Sequence, residues 1–135
     1  MFEHVDITGH SSILSTGARS YELYPQTKSQ KKVKVSIARL DDFLKARGIK
    51  PETQILLKLD VQGYEDRVLR GAPKLLAQAR ACLLEVNFDS LYDSQATFEE
   101  IALILNRSGY RYAGCFSQGF ATDGHVIAGD VLFVH

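Results

Sequence analysis

Ile55-Leu56-Leu57-Lys58-Leu59-Asp60-Val61 runs directly into Gln62-Gly63, and this stretch decides the fold. Its apolar residues are nearly continuous, the pattern of a short strand buried on both faces of a parallel sheet. Gly63 lets the chain turn sharply at the strand's end. Upstream, Val33-Lys34-Val35-Ser36-Ile37 alternates apolar and polar residues, which predicts a half-buried strand. Leu40, Phe43, Leu44 and Arg47 then follow helical spacing, and Gly48 suits a helix C-terminus. Downstream, residues 64–79 read as a broken helix. Val68 and Leu69 face a core, Gly71-Ala72-Pro73 interrupts, and Pro73 starts a second piece carrying Leu75 and Leu76.

Ala81 to Phe88 is a second buried strand. Thr97 and Glu100 form a capping box, after which Phe98, Ile101, Ala102 and Leu105 fall on one helical face and Gly109 ends the helix. Tyr110 to Phe116 predicts a strand, residues 117–128 a long glycine-containing connection, and Val131 to Val134 a final strand. Residues 1–32 read as mostly irregular. Alternating strands and helices predict an α/β fold, a mostly parallel sheet with helices on both faces. The final strand follows its predecessor without a helix, so it is expected to run antiparallel.

Composition sets the limits. The 135 residues carry 16 Lys and Arg against 16 Asp and Glu and are 45% hydrophobic, which suits one folded domain spanning 1–135. The longest apolar run, Ile101 to Leu105, is too short to cross a bilayer. The opening MFEHVDITGHSS has no basic stretch followed by an apolar one and does not resemble a secretory leader. Cys82 and Cys115 sit in apolar segments without metal-ligand spacing, as expected of a reducing, cytoplasmic setting. Zero net charge argues against a nucleic-acid partner. The cluster Lys28, Lys31, Lys32 and Lys34 reads as a solvated loop.

Ligands of open parallel sheets sit at the carboxyl ends of the strands. That rule selects Asp60 at the end of one strand and Glu85, Asn87 and Asp89 on or just past the next. If the strands are neighbours, these groups share a crevice, where their carboxylates could serve as a base, a metal ligand or an acceptor for an ammonium group. The plainer reading makes Asp60 a helix cap and Glu85 a strand residue satisfied by Lys58 or by backbone. Phosphate-cradling glycine motifs and a nucleophile elbow are absent, and the four histidines have no ligand spacing.

Leu57-Lys58-Leu59-Asp60-Val61-Gln62-Gly63-Tyr64-Glu65, followed by Val68-Leu69-Arg70-Gly71-Ala72, resembles the signature of the FkbM family of S-adenosylmethionine-dependent methyltransferases. Leu83-Leu84-Glu85-Val86-Asn87-Phe88, Ser11-Ser12-Ile13-Leu14 and the segment from Val35 to Asp42 are similar to further elements of that family. The resemblance implies a Rossmann-like methyltransferase sheet whose N-terminal cofactor-binding strands are missing from this chain. It implies S-adenosylmethionine as cofactor and a hydroxyl of a small molecule or sugar as methyl acceptor. Asp60 and Glu85 would be catalytic, with Asp60 taking the hydroxyl proton. Asp60 and Val61 would contact the cofactor, Gln62 and Asn87 would orient the acceptor, and no metal is implied. Gln62 stands where the family has glutamate. A chain that lacks the cofactor half is expected to be weak or inactive alone, and to form a homodimer or meet a complementing N-terminal chain. The alternative is a non-catalytic half-domain that associates through its exposed sheet edge.

Overall fold

A computed structural model describes residues 1–4, 8–51 and 54–135. In chain order the elements are β1 (Phe2–His4), α1 (Ala18–Leu23), β2 (Gln30–Lys32), α2 (Leu40–Ala46) and β3 (Leu56–Leu59). These are followed by α3 (Glu65–Arg70), α4 (Pro73–Leu76), β4 (Ala81–Asn87), α5 (Phe98–Arg107), β5 (Arg111–Phe120) and β6 (Val126–Val134). β1 and β2 pair antiparallel as a separate ribbon. The other four strands form one mixed sheet in the order β3-β4-β6-β5.

β3 pairs parallel with β4, whereas β6 is antiparallel to both β4 and β5. Three strands thus share a direction, and the final strand runs against them, as its sequence context predicts. By pairing, however, the sheet is mixed rather than mostly parallel, because β6 lies between β4 and β5.

The core lies on one face of this sheet. Cys82, Leu84 and Val86 of β4 and Val131 and Phe133 of β6 meet Leu69 of α3, Leu76 of α4 and Ile101 and Leu105 of α5. The inward positions of both strands alternate, as period-2 burial requires. Tyr110 is buried, and its hydroxyl lies 2.7 Å from the Leu76 carbonyl and 2.8 Å from that of Ala79. The start of β5 is thereby tied to the end of α4. The capping box at Thr97 and Glu100 is present as expected. Pro73 opens α4, whose first amides also receive the Asp41 carboxylate of α2, at 2.8 Å for Lys74 and 3.1 Å for Leu75.

Four expectations need correction. Residues 33–37 are not a strand. Val33 still exchanges backbone hydrogen bonds with Met1, but beyond it the alternation meets no neighbouring strand among the described residues, and Ile37 is 68% exposed. The chain is instead extended and paired one step earlier, at β2. Second, β3 is not buried on both faces: Leu56 is 59% exposed and Lys58 is also exposed. Third, the core helices do not cover both faces of the sheet; those named above pack on one. Fourth, residues 117–128 are not a long connection. β5 continues to Phe120, β6 starts at Val126, and the turn is confined to residues 121–125. Three register shifts along β5 admit extra residues into the ladder, so the alternation that marks a strand is lost there.

The N-terminal segment is also more ordered than its composition suggests. It docks on the loop after β4 through a bridge between Thr16 and Tyr92 and through the Gly17 amide on the Leu91 carbonyl, 2.8 Å. Asp93 returns its own amide to Ser15, 2.8 Å. This docking brings residues 9–24 to the carboxyl ends of β3 and β4.

Candidate functional site

The loop that leaves β3 is built around two left-handed residues, Gln62 with φ +52° and Gly63 with φ +90°. A Cβ on Gly63 would lie 3.1 Å from atoms of both Gln95 and Tyr92, so this position needs glycine for space as well as for backbone angle. Glu65 holds the loop closed. It is buried, and its Oε1 accepts the amides of Val61 at 3.1 Å and Gly63 at 3.3 Å. Burial, only partly offset by these bonds, raises the Glu65 carboxyl above the ordinary glutamate range. Ser12, from the docked N-terminal segment, donates to the Gln62 carbonyl at 2.7 Å.

Held in this way, the Gln62 side chain joins the two carboxyls picked out by the sequence. Its Nε2 donates to Asp60 at 2.9 Å and to Glu85 at 2.5 Å. Lys58 lies 3.6 Å from Asp60 rather than on Glu85. Partial desolvation opposes ionisation of Asp60. The bonds with Gln62 and Glu85 and the Lys58 ammonium outweigh it, and its carboxyl falls below the usual range. Glu85 moves the other way. Burial, then the Asp60 charge beside it, pushes its carboxyl up to about 7. One carboxyl therefore stays anionic while its neighbour changes protonation near neutrality.

Asp60, Gln62, Glu85 and Asn87 line a cavity of about 270 Å³, whose wall is completed in part by His10 and Tyr24. Asn87 is buried at the end of β4. The His10 and Tyr24 rings lie 5.2 Å apart, and burial holds the His10 imidazole below its ordinary pKa. Sequence reasoning missed both residues, because they reach the site through tertiary docking that no local spacing encodes. It missed Tyr92 and Glu65 as well. The step from Gly63 to Glu65 was the available signal for the latter: a carboxylate two residues past a left-handed turn can accept the turn's amides.

Val61 contributes its backbone rather than its side chain, through the bond to Glu65. Asp89 is not on the cavity wall. It receives Arg19 at 2.8 Å and His125 at 3.1 Å, and His125 also meets Asp123 at 2.6 Å. These partners, Asp89 first, raise the His125 pKa. A larger groove of about 410 Å³ runs between α2 and α3, past Leu40, Phe43 and Val68. Among the described residues no carboxylate lines it, so the smaller, polar cavity is the chemical candidate.

Among the described residues two carboxyls and no Lys or Arg line the cavity, which suits a cationic group and opposes a phosphate. Among the described residues no group of three or more His, Cys, Asp or Glu is placed to hold a metal ion, and no helix is long and apolar enough to cross a membrane.

A mixed sheet with helices on its core face and a polar site at the carboxyl ends of two parallel strands is an α/β fold, and it fits a methyltransferase-like architecture. A family model described as the methyltransferase FkbM domain matches residues 4–112, and the chain belongs to that family. No curated protein and no solved structure matches it significantly.

Proposed function

We propose that the chain carries the acceptor side of an S-adenosylmethionine-dependent methyltransferase site on a Rossmann-like sheet, acting on a hydroxyl oxygen of a small molecule or sugar. The observation that supports this reading is the Asp60–Gln62–Glu85 cluster at the carboxyl ends of β3 and β4. When bound, the donor supplies an electrophilic methyl group on a sulfonium cation. Asp60, anionic at neutral pH, and the backbone at Val61 suit the cationic end of such a donor. Gln62 and Asn87 are placed to orient the acceptor. Of the two carboxyls, Glu85 is the better base, because a base works best when its pKa lies near the working pH. Asp60, held well ionised, is the weaker base and the stronger counter-charge.

Calorimetric titration of the purified chain with S-adenosylmethionine, after its mass in solution is measured, tests the reading. Micromolar binding that Asp60→Asn weakens supports it. Absence of binding by a folded chain refutes donor binding by this chain alone. It would favour the second reading, a half-domain that pairs through β3, the edge strand of the sheet with Leu56 exposed beside it. Where turnover is measurable, Glu85→Gln is expected to lower it by about 100-fold or more.

A further inference from the structure

Gln62 is fixed from a third direction. Tyr92 is only 1% exposed, and its hydroxyl lies 2.6 Å from Gln62 Oε1 and 3.2 Å from the His10 carbonyl. Its ring edge also abuts Gly63, the next residue in the turn. A phenol donates its one proton to the oxygen end of an amide. With that end engaged, the nitrogen end faces Asp60 and Glu85. The reversed amide would set its oxygen against two carboxyls, which is tolerable only when one of them carries a proton. A left-handed, non-glycine residue whose side chain is held at both ends is a strained feature that the surroundings over-determine, as at functional sites generally.

We propose that Tyr92 is a positioning residue for the site: its hydroxyl holds the Gln62 amide with the nitrogen toward Asp60 and Glu85, and so governs where the proton of that pair resides. This rests on the methyl-transfer reading only in taking those two carboxyls as the site. The groups that act on Glu85 are Asp60 from the end of β3, Asp130 opposite it on β6, and Gln62. Lys58 acts through Asp60, Glu65 of α3 lies near enough to sense Asp60, and His10 stands on the cavity wall. Of these groups, the Tyr92 hydroxyl bonds only the Gln62 side chain and the His10 carbonyl.

Side-chain carboxyl titration by carbon-detected NMR reads the effect without turnover, so its result is independent of whether methyl transfer occurs. Tyr92→Phe releases the amide and weakens its bond to ionised Glu85. The Glu85 midpoint is expected to rise by about 0.5–1 pH unit, the worth of one such bond. In a Gln62→Met background, the same Tyr92→Phe change should leave the midpoint where it is. Equal shifts with and without Gln62, or no shift in a folded Tyr92→Phe chain, overturn the proposal. Should Tyr92→Phe not fold, the wild-type Gln62 amide protons decide. Held as described, they exchange with solvent more slowly than those of exposed Gln118 and move with the Glu85 titration. Protons that exchange as fast and ignore that titration overturn it.

Discussion

Replacing Glu65 separates its role as an acceptor from its role as a charge. Oε1 alone accepts both loop amides, Val61 at 3.1 Å and Gly63 at 3.3 Å. Glu65→Gln keeps a carbonyl oxygen in that place, and Glu65→Ala keeps nothing. A buried donor left without a partner costs about 1–3 kcal/mol. Two such amides put Glu65→Ala at about 2–6 kcal/mol, before the lost packing of a side chain only 3% exposed is added. For a chain of this length that is a fall in Tm of at least about 6 °C. Glu65→Gln is expected within about 1 kcal/mol of wild type at neutral pH, because it exchanges a costly buried charge for a weaker acceptor. The two variants also differ in pH dependence. The Glu65 carboxyl is raised in the folded chain, so its protonated form favours folding. Wild type should therefore lose stability relative to Glu65→Gln as pH rises from the ordinary glutamate range through the folded value. Urea unfolding followed by far-UV circular dichroism at several pH values measures all of this. Equal losses in the glutamine and alanine variants would refute the argument that acceptance of the two amides is what matters.

Three further outcomes are expected. Tyr110→Phe leaves the Leu76 and Ala79 carbonyls without their shared donor and should cost about 1–3 kcal/mol in chemical denaturation. Thr97→Ala removes one half of the capping box on α5 and should cost about 0.5–2 kcal/mol, read as a lower Tm. The His125 pKa is raised by Asp89 and Asp123, so its contribution is complete below its ordinary pKa and fades as pH rises through the raised value. His125→Asn should abolish that pH dependence, seen as a constant protection of the amides of residues 121–125, relative to their intrinsic exchange rates, between pH 5 and pH 8, about the range in which histidine changes charge.

Legibility in the sequence tracked how local each cause is. The α5 helix could be read because its cap and its apolar face lie within ten residues. The strands at β3 and β4 could be read because their apolar runs are long and bounded by turn residues. The pairing of Asp60 with Glu85 followed from one general rule about the ends of parallel strands. Val33 to Ile37 misled because alternation records only a tendency to extend. Whether such a segment becomes a strand depends on a neighbour elsewhere. The far half of β5 was hidden for the opposite reason: bulges break its alternation while the ladder continues. His10, Tyr24 and Tyr92 could not be found from spacing at all. His10 and Tyr24 reach the cavity because residues 9–24 dock on the loop after β4 that carries Tyr92, a contact between segments some eighty residues apart in the case of His10 and Tyr92.

The order of the sheet has a consequence for how the molecule is made. β6 is made after both of its neighbours, yet it lies between β4 and β5 and supplies every hydrogen bond that β5 makes within the sheet among the described residues. Until it emerges, β4 holds only β3, and the apolar residues facing α5 have half a platform. From the synthesis of β4 until β6 emerges, the apolar edge of β4 therefore stays open, the interval in which misassembly competes with folding. Closure comes late and all together, when one strand zips two others into place.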